Sequence, residues 1–401
     1  MLSASELLQE LLKRARPLEK TETLPLSEAY NRVLAEGLTA YVSVPPLDNT
    51  AMDGYAVRSK DCREPDVRLK VTQRIAAGQV GKQLHRGEAA RIFTGAPVPP
   101  GADAIVMQED TSLDGEWVTV YKVPRPGDHI RRAGEDIQPG TSVLTPGTRM
   151  KAMHLGLAAS VGRTQAKVFQ QLRVAMFSTG DELAEPGKPL KPGQIYNSNR
   201  AMLHGLLTGL GVEIIDLGVV EDSREATVRV LQSAASKADV IVTTGGVSVG
   251  EEDHVKSAVE ELGHIDIWKV AMKPGKPVVY GKIGETDFIG LPGNPVSAFI
   301  TFCLFARPFL LKRIGAIQVL YRAYPVRAAF DWFKPGNRRE FLRGLMVTGK
   351  DGAGEVRLYP NQSSGVLTSA VWADGLVDVE IGQTIIRGEW VRFIPFAELL
   401  N

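Results

Sequence analysis

The spacing of apolar positions changes several times along this chain, and the first change is close to the N-terminus. Residues 7–15 carry an apolar stripe at intervals of three and four, as on one face of a helix. Ser3 and Glu6 precede it with the spacing of a capping box, and Pro17 follows it. The pattern predicts an amphipathic helix that starts near Ser3 and ends before Pro17.

Residues 46–145 have weak helical periodicity, and glycine and proline recur there at short intervals. Short β-like runs lie between these breakers, at 67–75, 104–107 and 117–123. Helical composition returns over 146–168. We therefore predict a mostly-β domain at 46–145, inserted into an elongated N-terminal and dimerisation domain made of 1–45 and 146–170.

Residues 171–318 alternate strictly between strand-like apolar runs and helical patterns. The predicted strands include 173–177, 212–217, 240–243 and 287–291, and the predicted helices include 198–210 and 253–262. This alternation predicts an α/β domain with a mainly parallel sheet and helices on both faces. The apolar run at 299–311 is interrupted by Arg307 and Pro308, which favours a buried helix over a membrane span.

The last part of the chain, 319–401, returns to β-like runs separated by turn residues. Such runs stand at 326–330, 340–347, 356–360, 375–381 and 390–395, and they are typical of a small barrel or sandwich. We adopt the barrel. The predicted fold class is multidomain α/β plus β, with a three-layer α/β domain, an inserted mostly-β domain, an elongated helical and β linking domain, and a small C-terminal β-barrel.

Composition narrows the function classes. A chain of 401 residues with a formal net charge of +1 carries no global field that would favour nucleic acid or an anionic membrane. The two cysteines, Cys62 and Cys303, have no metal-ligand spacing, and the N-terminus lacks the basic segment of a secretion signal. We expect a cytoplasmic protein without nucleic-acid or membrane partners.

The clearest chemical signal follows the apolar run at 240–243, where Thr244, Gly245, Gly246, Val247 and Ser248 end the strand. Glycines at the carboxyl end of a parallel strand allow backbone N–H groups to approach a phosphate closely. Three acids come next, Glu251, Glu252 and Asp253. Asp253 is a candidate for binding a cation and equally for capping the following helix.

Three further loops show related chemistry. Residues 177–183 place hydroxyls, a glycine and Glu182 after a strand, and residues 290–297 place Ser297 at a helix start behind two prolines. Residues 272–277 hold two lysines around a Pro-Gly turn, which suits an oxyanion but is also typical of a solvated basic turn. Its candidate residues are Lys273, Pro274 and Lys276.

The predicted β domain and barrel add polar clusters that are ordinary turn chemistry when taken singly. Asp53, Thr94 and Asp136 stand in three such clusters. Arg338 and Arg339 are candidates for a bidentate anion ligand or for an edge charge on a strand.

Taken together, these segments resemble the molybdopterin molybdenumtransferase family, which includes bacterial MoeA and the gephyrin E domain. The matching motifs occur in family order and cover every region of the chain. They are DNTAMDGYAV (48–57), IFTGAPVP (92–99), RRAGEDI (131–137), FSTGDEL (177–183), GQIYNSN (193–199), TTGGVSVGEEDHVK (243–256), MKPGKPVVYGK (272–282), GLPGNPVSAF (290–299), RREFLRG (338–344) and NQSSGVLTS (361–369).

The resemblance implies a molybdenum insertase, a Mg²⁺-dependent transferase. Adenylylated molybdopterin would be hydrolysed with loss of AMP, and molybdate would be inserted at the dithiolene to give molybdenum cofactor. Family members are elongated homodimers whose cleft lies between the α/β domain of one subunit and the β domain of the other. A molybdopterin adenylyltransferase is an implied partner.

The resemblance also assigns residues. Those matching positions needed for activity are Asp53, Thr94, Asp136, Glu182 and Asp253, and Asp253 with Glu182 would bind the metal. Those matching the molybdate region are Lys273, Pro274, Lys276, Ser297, Arg338 and Ser364, and those matching the pterin-phosphate loop are Gly245, Gly246 and Ser248. The motif departs from the family at Ser363, where relatives more often have glycine.

Three alternatives remain at this stage. The same fold serves as a receptor scaffold in the gephyrin branch, a paralogue of this family would insert tungstate, and a related nucleotide pyrophosphatase would use only the α/β domain. The sequence shows no fused adenylyltransferase domain before Met1 and retains the acids and lysines, so we expect the enzyme. Residue types do not separate molybdate from tungstate, because the two oxyanions have nearly the same size.

Overall fold

The N-terminal segment folds as its capping residues predict. A computed structural model describes residues 1–246 and 254–400, and it begins with α1 (Ala4–Arg14), followed by β1 (Thr21–Pro25) and β2 (Leu38–Thr39). The Glu6 amide donates to the Ser3 hydroxyl (3.2 Å), and the Ser3 amide donates to the Glu6 carboxylate (2.7 Å). Leu7 and Leu11 of the apolar stripe are fully buried. The predicted amphipathic helix is confirmed.

The segment after β2 forms the predicted mostly-β unit. Its six-stranded sheet has the order β7-β4-β6-β5-β9-β8, and β3 pairs with β10 in a separate ladder. The core of this unit lies on both faces of the sheet, around Val57, Leu69 and Val118 on one side and Ile92 on the other. The strands are β3 (Asn49–Thr50), β4 (Gly54–Val57), β5 (Val67–Ile75), β6 (Glu88–Ile92), β7 (Ala104–Met107), β8 (Thr111–Asp114), β9 (Trp117–Val120) and β10 (Ile130–Arg131).

The chain then pairs with its own N-terminal segment. The elements here are β11 (Ser142–Leu144), α2 (Ala152–Ser160) and β12 (Gln165–Phe169). β12 pairs antiparallel with β1, and β11 pairs antiparallel with β2, so segments before and after the β unit share ladders. The exact domain boundaries given above stay predictions.

The next segment carries the α/β sheet, in the order β16-β13-β17-β21-β20-β18. Strands β16, β13, β17 and β21 are parallel to one another. Strand β20 pairs antiparallel with both of its neighbours, β21 and β18. Only two residues join β20 to β21, and so short a connection permits only antiparallel pairing. The elements are β13 (Arg173–Thr179), β14 (Leu183–Ala184), β15 (Ile195–Tyr196), α3 (Ser198–Leu210), β16 (Glu213–Val220), α4 (Arg224–Ala235), β17 (Val240–Thr244), α5 (His254–Leu262), β18 (His264–Lys269), β19 (Met272–Lys273), β20 (Pro277–Ile283) and β21 (Thr286–Leu291).

Both faces of this sheet are covered, which explains why its strands are apolar without alternation. Val174 and Met176 of β13 face a core that includes α3, whereas Ala175 and Phe177 face a core that includes α4 and α5. The predicted α/β domain with a mainly parallel sheet is confirmed.

A 19-residue helical segment, 295–313, follows β21. It comprises α6 (Pro295–Thr301), a π-helical stretch (Phe302–Ala306) and α7 (Arg307–Arg313). In the part of the chain that the structure describes, this is the one helix with the length and apolar composition of a membrane span, and 89% of its window is buried inside the protein. Such burial is typical of a core helix, as the sequence predicts.

The C-terminal strands close into the predicted barrel. The order β23-β24-β22-β26-β25 is completed by a β25–β23 ladder, so five strands form a ring. Strand β19 of the preceding domain pairs parallel with β23 and sets Lys273 opposite Glu340. The elements are β22 (Tyr324–Ala328), β23 (Arg339–Thr348), β24 (Gly354–Leu358), α8 (Thr368–Trp372), β25 (Gly375–Val379), β26 (Trp390–Pro395) and α9 (Phe396–Leu400).

Candidate functional site

A cleft of about 690 Å³ opens where the carboxyl ends of β13, β17 and β21 meet the edge of the barrel. In an open α/β sheet this edge is the usual ligand site. Most of the lining comes from the loops predicted above. The lining residues are Thr179, Gly180, Glu182, Asp222, Gly245, Gly246, Lys273, Pro274, Gly275, Lys276, Pro277, Pro292, Gly293, Asn294, Ser297, Arg338, Gln362, Ser363 and Ser364.

Gly245 and Gly246 form the floor of the cleft and need to be glycine. Both have φ in the left-handed region, 88° and 62°. A Cβ on Gly245 would lie 2.8 Å from the carbonyl oxygen of Thr179, and one on Gly246 would lie 2.8 Å from its hydroxyl. The backbone thus approaches the cleft without side chains, as a phosphate loop requires. Ser248 and Asp253 lie outside the described residues.

The loop after β13 brings oxygen ligands to the same cleft. Glu182 and Asp222 line it, and the buried hydroxyl oxygen of Thr179 has no hydrogen-bond partner among the described residues. Oxygen donors of this kind fit Mg²⁺. Over residues 1–246 and 254–400, no three His, Cys, Asp or Glu side chains cluster closely enough to hold a metal. Glu182 and Asp222 are therefore oxygen donors at the cleft, and the described residues alone do not form a complete metal site.

The two lysines of the Pro-Gly turn have different surroundings. Lys273 Nζ lies 3.2 Å from Glu340 Oε2, and the Glu340 carboxylate is only 7% exposed. Lys276 lines the cleft and has no acidic partner in the described part of the chain. Gly275 between them has φ 96°, and a Cβ there would lie 2.5 Å from the Thr301 hydroxyl. Over residues 1–246 and 254–400, therefore, Lys273 has a carboxylate partner and Lys276 has none.

This asymmetry predicts two different phenotypes. Lys273→Ala should lower the free energy of unfolding by about 1.5 kcal/mol, because it removes the cation beside the buried Glu340 carboxylate, although Lys273 itself is half exposed. Lys276→Ala should leave stability within about 0.5 kcal/mol of the unmodified protein, since its side chain is exposed. Urea unfolding of both variants measures the difference. Equal stability of the two would show that the Lys273–Glu340 pair is unimportant.

Hydroxyls from two domains meet at the start of α6. Ser297 is buried in the first turn, and the Val296 amide donates to the carbonyl oxygen of Ser364 (3.0 Å). This bond ties the 361–364 loop of the barrel to the helix N-terminus. Ser297 and Ser364 therefore face one cleft, at the positive end of a helix dipole.

The neighbouring arginines point in opposite directions. Arg338 lines the cleft, with Nη1 3.4 Å from the carbonyl oxygen of Met272. Arg339 turns away and makes two 2.6 Å hydrogen bonds to the carboxylate of Asp378, which is fully buried. Arg339 is the first residue of β23 and is held by Asp378, whereas Arg338 lies just before the strand and lines the cleft. The structure therefore assigns the cleft position to Arg338.

Arg343 supports the same loop from behind. It is fully buried, and its guanidinium donates to the Ser369 hydroxyl and to the carbonyl oxygens of Phe341 and Ser363. Burial lowers its pKa to about 10, so it stays cationic at neutral pH. The Arg343 amide also donates to the Gln362 side chain (2.9 Å), which fixes a second lining residue.

The three candidates in the β unit lie apart from this cleft within one chain. The Thr94 amide and hydroxyl each donate to Asp53 Oδ1 at 2.7 Å. Asp136 is exposed in a separate turn, where its amide donates to the Val44 carbonyl oxygen. Within one chain, Asp53 is therefore hydrogen-bonded to Thr94, but neither residue lines the cleft that contains Lys273 and Lys276.

The two Thr94 bonds hold the pKa of Asp53 below its ordinary value, because they stabilise the charged carboxylate. Thr94→Val removes the side-chain bond, and the pKa of Asp53 should rise toward its ordinary value. An NMR titration of the Asp53 carboxyl measures this shift directly. Thr94→Ser keeps the hydroxyl and is the matched control, and an unchanged pKa in Thr94→Val would contradict the assignment.

Comparison with known proteins identifies the family of this chain. Three family models match successive regions: the MoeA N-terminal region (domain I and II) at 2–162, a probable molybdopterin binding domain at 175–312, and the MoeA C-terminal region (domain IV) at 325–396. The molybdopterin molybdenumtransferase of Haemophilus influenzae is 38% identical over 407 residues and covers 100% of both chains.

The chain belongs to the molybdopterin molybdenumtransferase family.

Other relatives agree with this assignment. Molybdopterin molybdenumtransferase 2 of Mycobacterium tuberculosis is 38% identical over 384 residues, covering 92% of each chain. A solved structure of the molybdopterin biosynthesis MoeA protein from Pyrococcus horikoshii OT3 superposes with a TM-score of 0.81 at 28% identity, covering 98% of this chain and 100% of that one. A second Pyrococcus structure has a TM-score of 0.75 at 33% identity and covers 99% of both chains.

Several lining residues were missed by sequence reasoning. Asp222 follows β16, and in the structure the neighbouring Ser223 hydroxyl caps α4 by accepting from the Ala226 amide (3.3 Å). Ser223 is therefore the residue that caps α4, and Asp222 lines the cleft. Its position just after a parallel strand was the available signal. Asn294 and Gln362 lacked any comparable signal.

Proposed function

We propose that this protein is a molybdenum insertase, which hydrolyses adenylylated molybdopterin and inserts molybdate into the dithiolene. The observation that carries the proposal is a cleft between two domains in which Lys276, Arg338, Ser297 and Ser364 meet a glycine floor. Fixed cations and hydroxyls suit a tetrahedral dianion, and bare backbone suits a phosphate.

Family membership supports the broader statement. Relatives carrying the name molybdopterin molybdenumtransferase match the whole chain, so a transferase role in molybdenum cofactor biosynthesis is the function expected of this chain. The cleft adds the finer expectation that the oxyanion binds at the barrel side and the pterin phosphate at Gly245 and Gly246.

The reaction needs charge neutralisation at two places. Cleavage of the phosphoanhydride P–O bond by water gives AMP and molybdopterin. The two dithiolene thiols then bind molybdenum in place of one oxygen of molybdate, which leaves as water with the two thiol protons. Lys276 and Arg338 would hold the oxyanion in a fixed position, and the Ser297 hydroxyl would donate a hydrogen bond to one of its oxygens. The Lys273–Glu340 pair is nearly neutral and would serve mainly to orient the turn.

A Mg²⁺ ion, when bound, would neutralise charge on the bridging phosphate oxygens. Glu182 is the described candidate ligand, with Asp222 beside it, and Asp253 remains a candidate from the resemblance. We further propose a cytoplasmic homodimer in which Asp53, Thr94 and Asp136 complete the site from the second subunit. A molybdopterin adenylyltransferase is the proposed source of substrate.

The test is AMP release from adenylylated molybdopterin by the purified protein with Mg²⁺, with and without molybdate. Molybdate-dependent release supports the insertase, and a tungstate arm measures oxyanion preference. AMP release that is the same with and without molybdate would instead indicate a pyrophosphatase. No release from a folded protein would favour a scaffold.

A further inference from the structure

The β unit carries a stack of arginines and aromatic rings that the cleft described above does not include. The guanidinium carbon of Arg91 lies 4.7 Å from the Phe93 ring centroid and 5.2 Å from that of Tyr55, and Arg74 lies 4.4 Å from Phe93. The Phe93 ring is therefore in contact with two guanidinium groups. Leu113 completes the apolar side of the same depression, whose volume is about 460 Å³.

Strand register places these cations side by side. Arg74 of β5 is the direct partner of Arg91 of β6, and Arg91 is the partner of Tyr55 in β4. Side chains at paired positions project from the same face, where two like charges repel. Water screens this repulsion, and an anion held by both guanidinium groups would remove it.

No carboxylate in the described part of the chain is hydrogen-bonded or ion-paired to either guanidinium, although Arg91 interacts electrostatically with Asp53. Arg91 donates to the Gly54 carbonyl oxygen (3.0 Å) and to the Gln108 side chain (2.6 Å), both neutral. Arg74 is exposed and has no hydrogen bond or ion pair within the described residues. By contrast, Arg68 on the same strand stacks on Trp117 and is ion-paired with Asp114 at 3.1 Å.

The depression adjoins the Asp53–Thr94 pair. Phe93 precedes Thr94, and the Gly54 carbonyl that accepts from Arg91 follows Asp53. A ligand held by Arg74 and Arg91 would therefore lie beside two residues that match family positions needed for activity.

We propose that this face binds a nucleoside monophosphate, with its phosphate between Arg74 and Arg91 and its base stacked on the arginine and aromatic planes. Two guanidinium groups provide bidentate donors for phosphate oxygens, and their planes stack well on a nucleobase. The identity of the nucleotide as the adenylate half of the substrate rests on the proposed function.

The first experiment is calorimetric titration of the full chain with AMP, adenosine and ribose 5-phosphate. Arg74→Gln should raise the Kd for AMP and for ribose 5-phosphate about tenfold, since one charged phosphate contact is lost, and should leave adenosine unchanged. Arg68→Gln is the matched control on the same strand and should change the Kd for AMP less than about twofold. Arg74 is exposed, so its variant should fold normally.

Two results would overturn the nucleotide site. One is an unchanged Kd for AMP in Arg74→Gln. The other is loss of AMP binding in Lys276→Ala alone, which would place the nucleotide in the α/β cleft. Phe93→Leu provides a second variant, and it should weaken AMP and adenosine together because the stacking plane is removed.

The AMP-release assay separates this site from the insertase proposal. If Arg74→Gln raises the KM for adenylylated molybdopterin about tenfold at similar kcat, the site takes the substrate's adenylate. An unchanged KM with weakened AMP binding would overturn that assignment. Weakened AMP binding without any molybdate-dependent release in the unmodified protein would keep the nucleotide site and refute the insertase.

Discussion

Arg338→Ala should lower molybdate-dependent AMP release by about 10²-fold, the usual loss when one preorganised donor to a developing or bound oxyanion is removed. Arg338 lines the cleft, and its one hydrogen bond to the described residues is long, with Nη1 3.4 Å from the carbonyl oxygen of Met272. Its removal should therefore leave the melting temperature unchanged. Steady-state AMP release and a thermal melt of the same preparation measure both quantities.

Arg339→Ala is the matched control, and the opposite result is expected from it. The Asp378 carboxylate is fully buried and loses its two 2.6 Å bonds, so the free energy of unfolding should fall by about 3 kcal/mol. Arg392, 3.4 Å away and mostly exposed, compensates in part. The folded fraction should keep its turnover number. If Arg338→Ala destabilised the protein and Arg339→Ala did not, Arg338 would be the stabilising residue and Arg339 the candidate oxyanion ligand.

Gly54→Ala is the second substitution for which we expect a large effect. Gly54 lies in β4 between β6 and β7, opposite Ile92 and Met107. An added Cβ would overlap the backbone carbonyl oxygen of Val106, and neither strand can move without breaking its ladder. We expect a loss of about 3 kcal/mol in the free energy of unfolding, measured by urea titration.

Gly156→Ala is the same chemical change with the opposite expected sign. Gly156 is exposed inside α2, and an added Cβ there meets no atom within 4 Å. Alanine should stabilise this helix by about 1 kcal/mol. If both substitutions destabilised the protein, close packing would not be the reason that position 54 requires glycine.

Some parts of the site were within reach of sequence reasoning. The glycines after β17 and the polar loop after β13 follow apolar strands, and the carboxyl ends of parallel strands meet at one edge of a sheet. That rule predicts that these two loops share a crevice, although they are distant in sequence. The structure brings Glu182, Gly245, Lys276 and Ser297 to one cleft.

Other parts could not be predicted. The sequence shows two equivalent lysines, yet Lys273 faces a buried carboxylate because β19 pairs with a barrel strand in a register that sets it opposite Glu340. The inward direction of Arg338 depends on the same pairing. The stack of Arg74, Phe93 and Arg91 likewise requires two strands to be neighbours.

The sequence by itself determined the order of the structural classes along the chain, the first helix with its capping box, and the loops that deliver glycine and charge. These follow from local spacing, because periodicity and turn chemistry act over a few residues. Only the tertiary structure decided which charges are neutralised, which arginine enters the cleft and which residues of the β unit stand apart from it. Those outcomes depend on the register between distant strands, which no local pattern encodes.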